Sequence, residues 1–430
     1  MYRWMMGGVF VFAIITMIGC SNNQASDPLQ TTENPTPTPS PTSPPPPTVT
    51  PEDTVIGIKF TEVGDEFSAP MLVDLEFLPG TNGELITISL DGNIYYLTSD
   101  FKILSQSQNL VVGLEFEQGL LNVVADPDYA TNHYIYLFYT TVGNQPVDQE
   151  NRVDRFTVSV DVSAGTFNLA DQQNIIRLPK SENPEPGTNH NGGGLFFNEA
   201  GQLFIAAGDA GGSGSANPTY AIAQNTELSL GKIHRVIPNH NSGQGGFTIP
   251  SGNIASTNYP SIYAYGLRNP FTITYHPGHL FMGDVGGGFY EEIDLAMSGG
   301  LNFGWPFTEG PTNDPQYVTP IGGYSHEDTT QEEEDPAEDP EMHAHSIMVG
   351  HFYTGSQYGN FLDNVLIYSE FYEGWVRGLT LEPMTGAVLN DRHLAHLAGM
   401  TSVQMGPDEF LYAVSLGESA RILRIDPILQ

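Results

Sequence analysis

The chain has a single cysteine, Cys20, in 430 residues. No disulfide can form within one copy. Basic residues are also scarce: 14 Lys and Arg stand against 50 Asp and Glu, a formal charge of −36. That balance excludes nucleic acid as a partner, because phosphate backbones are held by basic surfaces. It suits a salty or cation-rich medium and favours solubility. Long apolar runs are missing apart from "MMGGVFVFAIITMIG" near the N-terminus. That run is too short, and too soon followed by polar sequence, to be read as a membrane span. Helical periodicity is rare, and no G-x-x-x-x-G-K-[ST] motif or strand–helix alternation supports a nucleotide site.

What is present begins with a targeting segment. Arg3 precedes the apolar run, and Cys20 directly follows Gly19. Residues 1–19 read as a signal peptide. "MIGC" resembles the lipobox of bacterial lipoproteins, which makes Cys20 the lipidated first residue of the mature chain. A plain secretory signal with an incidental cysteine is the other reading. Residues 20–53 are dominated by Pro, Thr and Ser. They are expected to form a semi-rigid tether without regular structure that packs on nothing. Ser21, and no Asp, follows the cysteine. This resembles the pattern sorted to the outer membrane. The expectation is an exported, lipid-anchored protein on the periplasmic side of that membrane or on the cell surface.

Residues 54–430 fit one large all-β domain. One unit recurs: an apolar alternating run, a turn of Pro, Asp, Asn or Gly, then a second apolar run. It starts at Leu72, Leu120, Gly194, Phe271, Phe361 and Ser402, and the copy from Phe361 is the least regular. Repeated antiparallel hairpins predict a six-bladed β-propeller. A sandwich or barrel does not account for the return of the same hairpin. Ring closure is expected to pair "VIGIKFTEV" from Val55 with the C-terminal "RILRIDP". The insertion at 326–345 carries nine acidic residues and no base. It reads as a solvated loop, with a low-affinity calcium sink as the sharper alternative. Its histidines, with His351, match no firm ligand pattern.

Three blades place polar groups just before an inner strand. His190 is followed closely by Gly192, Gly193 and Gly194, which let backbone approach. Arg268 and Asn269 stand in "YAYGLRNPF", and Glu117 and Gln118 in "FEQGLLNVV". Converging polar groups at one mouth suit an active site. The bland readings are a loop histidine satisfying carbonyls and a turn pair before Pro270. "GDVGGGFYEEIDL" combines glycines with acids, as a calcium site would.

Through "NHNGGGL", "GDAGG", "AQNTELSLGKIHRV", "YAYGLRNPF" and "GDVGGGFYEEIDLAMSGGLNFGWPFTEG", residues 71–427 resemble the glucose/sorbosone dehydrogenases. That resemblance implies a six-bladed propeller that oxidises a sugar at C1 with pyrroloquinoline quinone (PQQ) and Ca2+. It implies His190 as general base, and Glu117, Arg268 and Asn269 as cofactor contacts. It further implies Gly286 and Gly287 as carbonyl ligands of the cofactor's calcium, with Glu292 and a residue near Phe303 as ligands of a second calcium. The electron acceptor is not specified. There are departures. Asn189 stands where the enzymes have an aspartate beside the base, and Gly194 where they commonly have arginine. "YSEFYEGW" and "AGMTSVQM" lack the bases of blades five and six. Arg268, with Lys232, is then left to balance a triply acidic cofactor facing Glu117 and Glu370. The alternative function is a non-catalytic, calcium-stabilised propeller binding carbohydrate or a protein partner, as hedgehog-interacting relatives do.

Overall fold

The computed structural model describes residues 44–50, 53–64, 67–104, 108–213, 216–241, 243–326, 345–417 and 420–430. Cys20, the signal segment, most of the tether and the acidic residues 327–344 lie outside these. Among the described residues no helix is long and apolar enough to cross a membrane.

Short apolar runs separated by turn residues pair in order with their neighbours, and the result is six sheets in a ring. Each blade starts from an inner strand: β2 (Leu72–Phe77), β6 (Leu120–Ala125), β10 (Gly192–Phe197), β15 (Pro270–His276), β19 (Ile347–Tyr353) and β23 (Met400–Met405). Successive inner strands touch around the axis. All six share one irregularity, a register shift, near the start of the strand in five of them, for instance between Leu120 and Asn122 and between Met400 and Ser402, and further along in Ile347–Tyr353. A bulge re-aims side chains at a rim. Asp74, Asn122, Thr272 and Ser402, just past these shifts, line a narrow axial cavity of about 20 Å3.

Five of the six sequence repeats start on or just inside an inner strand. The copy from Phe361 does not: it covers β20 (Val365–Glu370) and β21 (Trp375–Leu381), the second and third strands of blade five. The inner strand Ile347–Tyr353 comes earlier, directly after the acidic insertion. Its register shifts between Val349 and Phe352, so the run lacks a clean period of two.

Closure follows the expectation. β1 (Val55–Val63) pairs antiparallel with β25 (Ile422–Leu429), from Val55 opposite Leu429 to Val63 opposite Ile422. Blade six therefore consists of β23, β24 (Leu411–Ser415), β25 and β1. Its core, with Ile58, Val63, Leu411 and Ile425, is continuous with residues of blades one and five. The tether departs from expectation at its C-terminal end. Residues 44–50 have no regular structure, yet the guanidinium of Arg424 donates to the carbonyls of Pro44 and Pro45, both at 3.2 Å. Arg424 is nearly buried and also pairs with Asp426 at 2.6 Å. A buried cation needs such acceptors, and the proline carbonyls supply them.

Ile58 is buried in the closing strand. Ile58→Ala is expected to lower the unfolding free energy by about 2–4 kcal/mol. Denaturant titration with unchanged slope is the measurement.

Candidate active site

His190 ends the loop before β10, and its backbone is left-handed at φ +50°. A non-glycine residue holds that conformation only where its surroundings fix it. Three contacts do so. The His190 N–H donates to Glu117 Oε2 at 2.8 Å. The His190 carbonyl accepts from Ala210 N–H at 3.1 Å. Its Nδ1 meets Asp209 Oδ1 at 2.8 Å. Gly192 follows at φ +69°, and a Cβ there would lie 2.5 Å from the Ala206 carbonyl oxygen. The glycine is required by that close approach.

Asp209 corrects the sequence reading, in which Asn189 left the imidazole without an acidic partner. The aspartate comes from the loop after β11 (Leu203–Ala207), 19 residues further on. Its carboxylate is fully buried and also accepts from Gly211 N–H at 2.9 Å and from Trp305 Nε1 at 2.8 Å. An ionised carboxylate on Nδ1 fixes the neutral tautomer with its proton there, so Nε2 is the basic nitrogen. The signal was present in "GDAGG", and in the tryptophan of "GWP".

The three predicted loops do converge. Asn269 Oδ1 accepts from Gly192 N–H at 3.0 Å, and its amide approaches Glu117 Oε2 at 3.5 Å. Asn269 thereby joins blades two, three and four. The N–H groups of Arg268 and Asn269 both donate to Asp284, at 3.0 and 2.6 Å. The Arg268 guanidinium donates to the Val285 carbonyl at 2.7 Å and sits 5.5 Å over the Trp305 ring. Gln118 is elsewhere engaged, paired with Gln149.

Lys232 does not compensate charge at the mouth. It is fully buried, and its ammonium donates to the carbonyls of Ile222, Ala223 and Leu230. Burial holds its pKa down to about 7. Lys180, not singled out from sequence, is buried behind the His190 loop with Nζ 3.0 Å from Asn191 Oδ1. Burial lowers its pKa to about 8, against the pull of Glu117, Glu115 and Asp209. On the far wall Glu370 is buried and accepts from Ser346 N–H at 3.0 Å and from Glu373 N–H. Burial raises its pKa to about 8. The pKa of Tyr372, two residues on, is raised by burial and then by the charges of Glu117, Glu370 and Glu291.

A second cluster lies just behind. Asp284, Glu292 and Asp294 are buried, and each offers an oxygen within 4.8 Å of the others. Asp284 and Glu292 face each other across β16 (His279–Asp284) and β17 (Tyr290–Ala296). Among the described residues neither oxygen of Asp294 has a hydrogen-bond partner. Burial raises Asp284 to about 7, Glu292 to about 8 and Asp294 well above the usual range. Such a set is costly without a cation, and hard oxygen donors suit Ca2+. Only Glu292 was singled out from sequence. Phe303 is core, with its N–H on the Tyr265 carbonyl, and could serve a metal only through its own carbonyl.

The turn carrying Gly286 and Gly287 is pinned by Glu309. One of its oxygens accepts from the N–H groups of Gly287, Gly288, Phe289 and Tyr290, at 2.7 to 3.1 Å. Burial alone would raise the Glu309 pKa, but these four donors lower it.

Comparison with known proteins places this geometry. The family model described as "Glucose / Sorbosone dehydrogenase" matches residues 68–424. The aldose sugar dehydrogenase YliI of Escherichia coli is 27% identical over 369 residues, 82% of this chain and 89% of that protein. The HIPL2 protein of Arabidopsis thaliana is 31% identical over 209 residues, 41% of this chain but only 28% of the plant protein's length. Among solved structures, the PQQ-bound aldose sugar dehydrogenase of Streptomyces coelicolor superposes with a TM-score of 0.62 at 20% identity, covering 89% of this chain and 99% of that one. At that identity the likeness establishes the six-bladed fold. The chain belongs to the glucose/sorbosone dehydrogenase family.

Proposed function

We propose that this chain oxidises the C1 hydroxyl of an aldose, with His190 as the general base. The observation that carries the reading is the His190–Asp209 pair. A buried carboxylate holds Nδ1 at 2.8 Å, in a loop whose backbone strain is held by Glu117 and Ala210. In this reading Nε2 takes the hydroxyl proton, a role that suits an imidazole. Arg268 and Asn269 are positioned beside it through Asp284. The hydride from C1 passes to a two-electron acceptor on the Arg268 side. The family implies PQQ in that role, but the residues present do not fit it. Glu117 and Glu370 line the walls, and Lys232 and Lys180 are buried and bonded elsewhere.

We assign Ca2+ to Asp284, Glu292 and Asp294, where it would neutralise a buried carboxylate cluster and stiffen the strand ends that hold Arg268 and Asn269. The acidic mouth also favours a second reading, a propeller that binds carbohydrate without oxidising it.

His190→Gln is expected to cut aldose turnover by about two to four orders of magnitude while leaving acceptor binding intact. Asp209→Asn should reduce turnover too, by favouring the wrong tautomer. Arg268→Ala should weaken acceptor binding first. Dye-linked assays over a panel of aldoses, with PQQ or a carboxylate-free quinone, measure these effects. Wild-type protein that oxidises none of them with either acceptor removes the catalytic reading in favour of the binding one.

Chelation is expected to lower the melting temperature. A ligand at 100 times its Kd stabilises the native state by about 2.7 kcal/mol. Asp294→Asn or Glu292→Ala should shrink the response. Identical melting curves with and without chelator would remove the calcium assignment.

A further inference from the structure

The mouth is acidic in a way that cannot relax. Glu117 is tied to the His190 N–H at 2.8 Å. Glu370 is tied by both oxygens, to Ser346 N–H at 3.0 Å and to Glu373 N–H. Both side chains cap backbone and cannot swing aside without leaving buried donors unpaired. Around them the cations are already engaged. Lys232 bonds three carbonyls, Lys180 bonds Asn191, and Arg268 bonds the Val285 carbonyl. The stretches facing the site from blades five and six are Phe371–Tyr372 and Met400–Thr401, and neither carries a base. Among the described residues, a tricarboxylate placed here would meet one half-buried guanidinium, that of Arg268. Protonating Glu370 would relieve repulsion but supply no partner charge.

Beside these acids the site offers one fixed cation and one exposed aromatic ring. The cation is Arg268, 5.5 Å over the ring of the buried Trp305, and the exposed ring is Tyr372, two residues after Glu370 and about half exposed. One fixed cation suits the carbonyl oxygen of a neutral ring, and an exposed aromatic ring suits its face.

We propose that this mouth takes an uncharged two-electron acceptor of the quinone class, and that Glu117 and Glu370 bar a tricarboxylate such as PQQ. The acceptor half rests on the sugar-oxidising reading above; the exclusion of the tricarboxylate does not. In the reaction the C1 hydroxyl gives its proton to His190 Nε2 and C1 gives a hydride to the quinone. The sugar becomes the lactone. The reduced ring takes up the proton and leaves as hydroquinone, so electrons and protons balance.

The test is direct binding to the purified, calcium-saturated protein, read by tryptophan fluorescence and quinone absorbance. Wild-type protein is expected to stay below half-saturation with PQQ at about 100 µM, a Kd weaker than about −5.5 kcal/mol. Glu117→Gln combined with Glu370→Lys should tighten PQQ by at least about tenfold, or 1.4 kcal/mol. A short carboxylate-free benzoquinone should bind wild type, and the double variant should change its affinity far less than that of PQQ. Stoichiometric PQQ binding by wild type in the low micromolar range overturns the proposal. So does a double variant that keeps the wild-type melting temperature and gains no PQQ affinity. Absence of benzoquinone binding overturns the uncharged-acceptor half. Benzoquinone binding without oxidation of any aldose removes the catalytic reading alone and leaves the charge selection standing.

Discussion

Loops at the mouth of a propeller leave backbone N–H groups that no strand can take. This chain satisfies many of them with carboxylates. Glu309 accepts four N–H groups from the Gly287–Tyr290 turn, and Asp284 accepts those of Arg268 and Asn269. Glu117 takes the His190 N–H, Glu370 that of Ser346, and Glu291 that of Ile347 at 2.9 Å. A carboxylate is a strong acceptor for backbone donors, and buried donors have to be paired. The acidity of the mouth is therefore structural before it is functional. It follows from how the irregular segments before the inner strands are held in place.

The same caps set the chemistry. Asp209 serves at once the Gly211 N–H, the Trp305 indole and the His190 imidazole. A residue that fixes a loop also fixes a tautomer. The lysines that could offset this charge are drawn inward to carbonyls and amides, where burial lowers their pKa values. Positive charge in the interior steadies the scaffold but does not reach a ligand at the surface. Family membership and ligand choice are thus separable here. The family's fold is kept, and the side chains facing the mouth decide which ligand it takes.

Much of this was legible in the sequence, and the rest was hidden for physical reasons. Repeat spacing gave six blades, and the alternation in "VIGIKFTEV" gave the closing strand. Blade five was misplaced because its inner strand follows an acidic run and shifts register between Val349 and Phe352. Glu117, His190 and Asn269 met as expected, since each precedes an inner strand. Asp209 was missed because it reaches His190 across a hairpin rather than along the chain, and attention fell on the neighbour Asn189. Asp294 looked like an ordinary strand residue; only the packed sheet reveals that its carboxylate has no hydrogen-bond partner among the described residues. The contact of Pro44 and Pro45 with Arg424 could not be read from composition, because it depends on one buried guanidinium needing acceptors.

The two clusters are linked by a single side chain. Asp284 belongs to the carboxylate group behind the mouth, and its oxygens also hold the backbone of Arg268 and Asn269 in front of it. Asn269 in turn holds Gly192, two residues from the imidazole. A cation on Asp284, Glu292 and Asp294 would keep Asp284 ionised despite its burial, and an ionised carboxylate accepts from both N–H groups. Without the cation, burial favours protonation, and a protonated acid accepts less well. The geometry of the mouth is then conditional on the charge state of the cluster behind it. This gives a metal held away from the reacting atoms a physical route to the His190 loop, through three hydrogen bonds and without any contact with substrate.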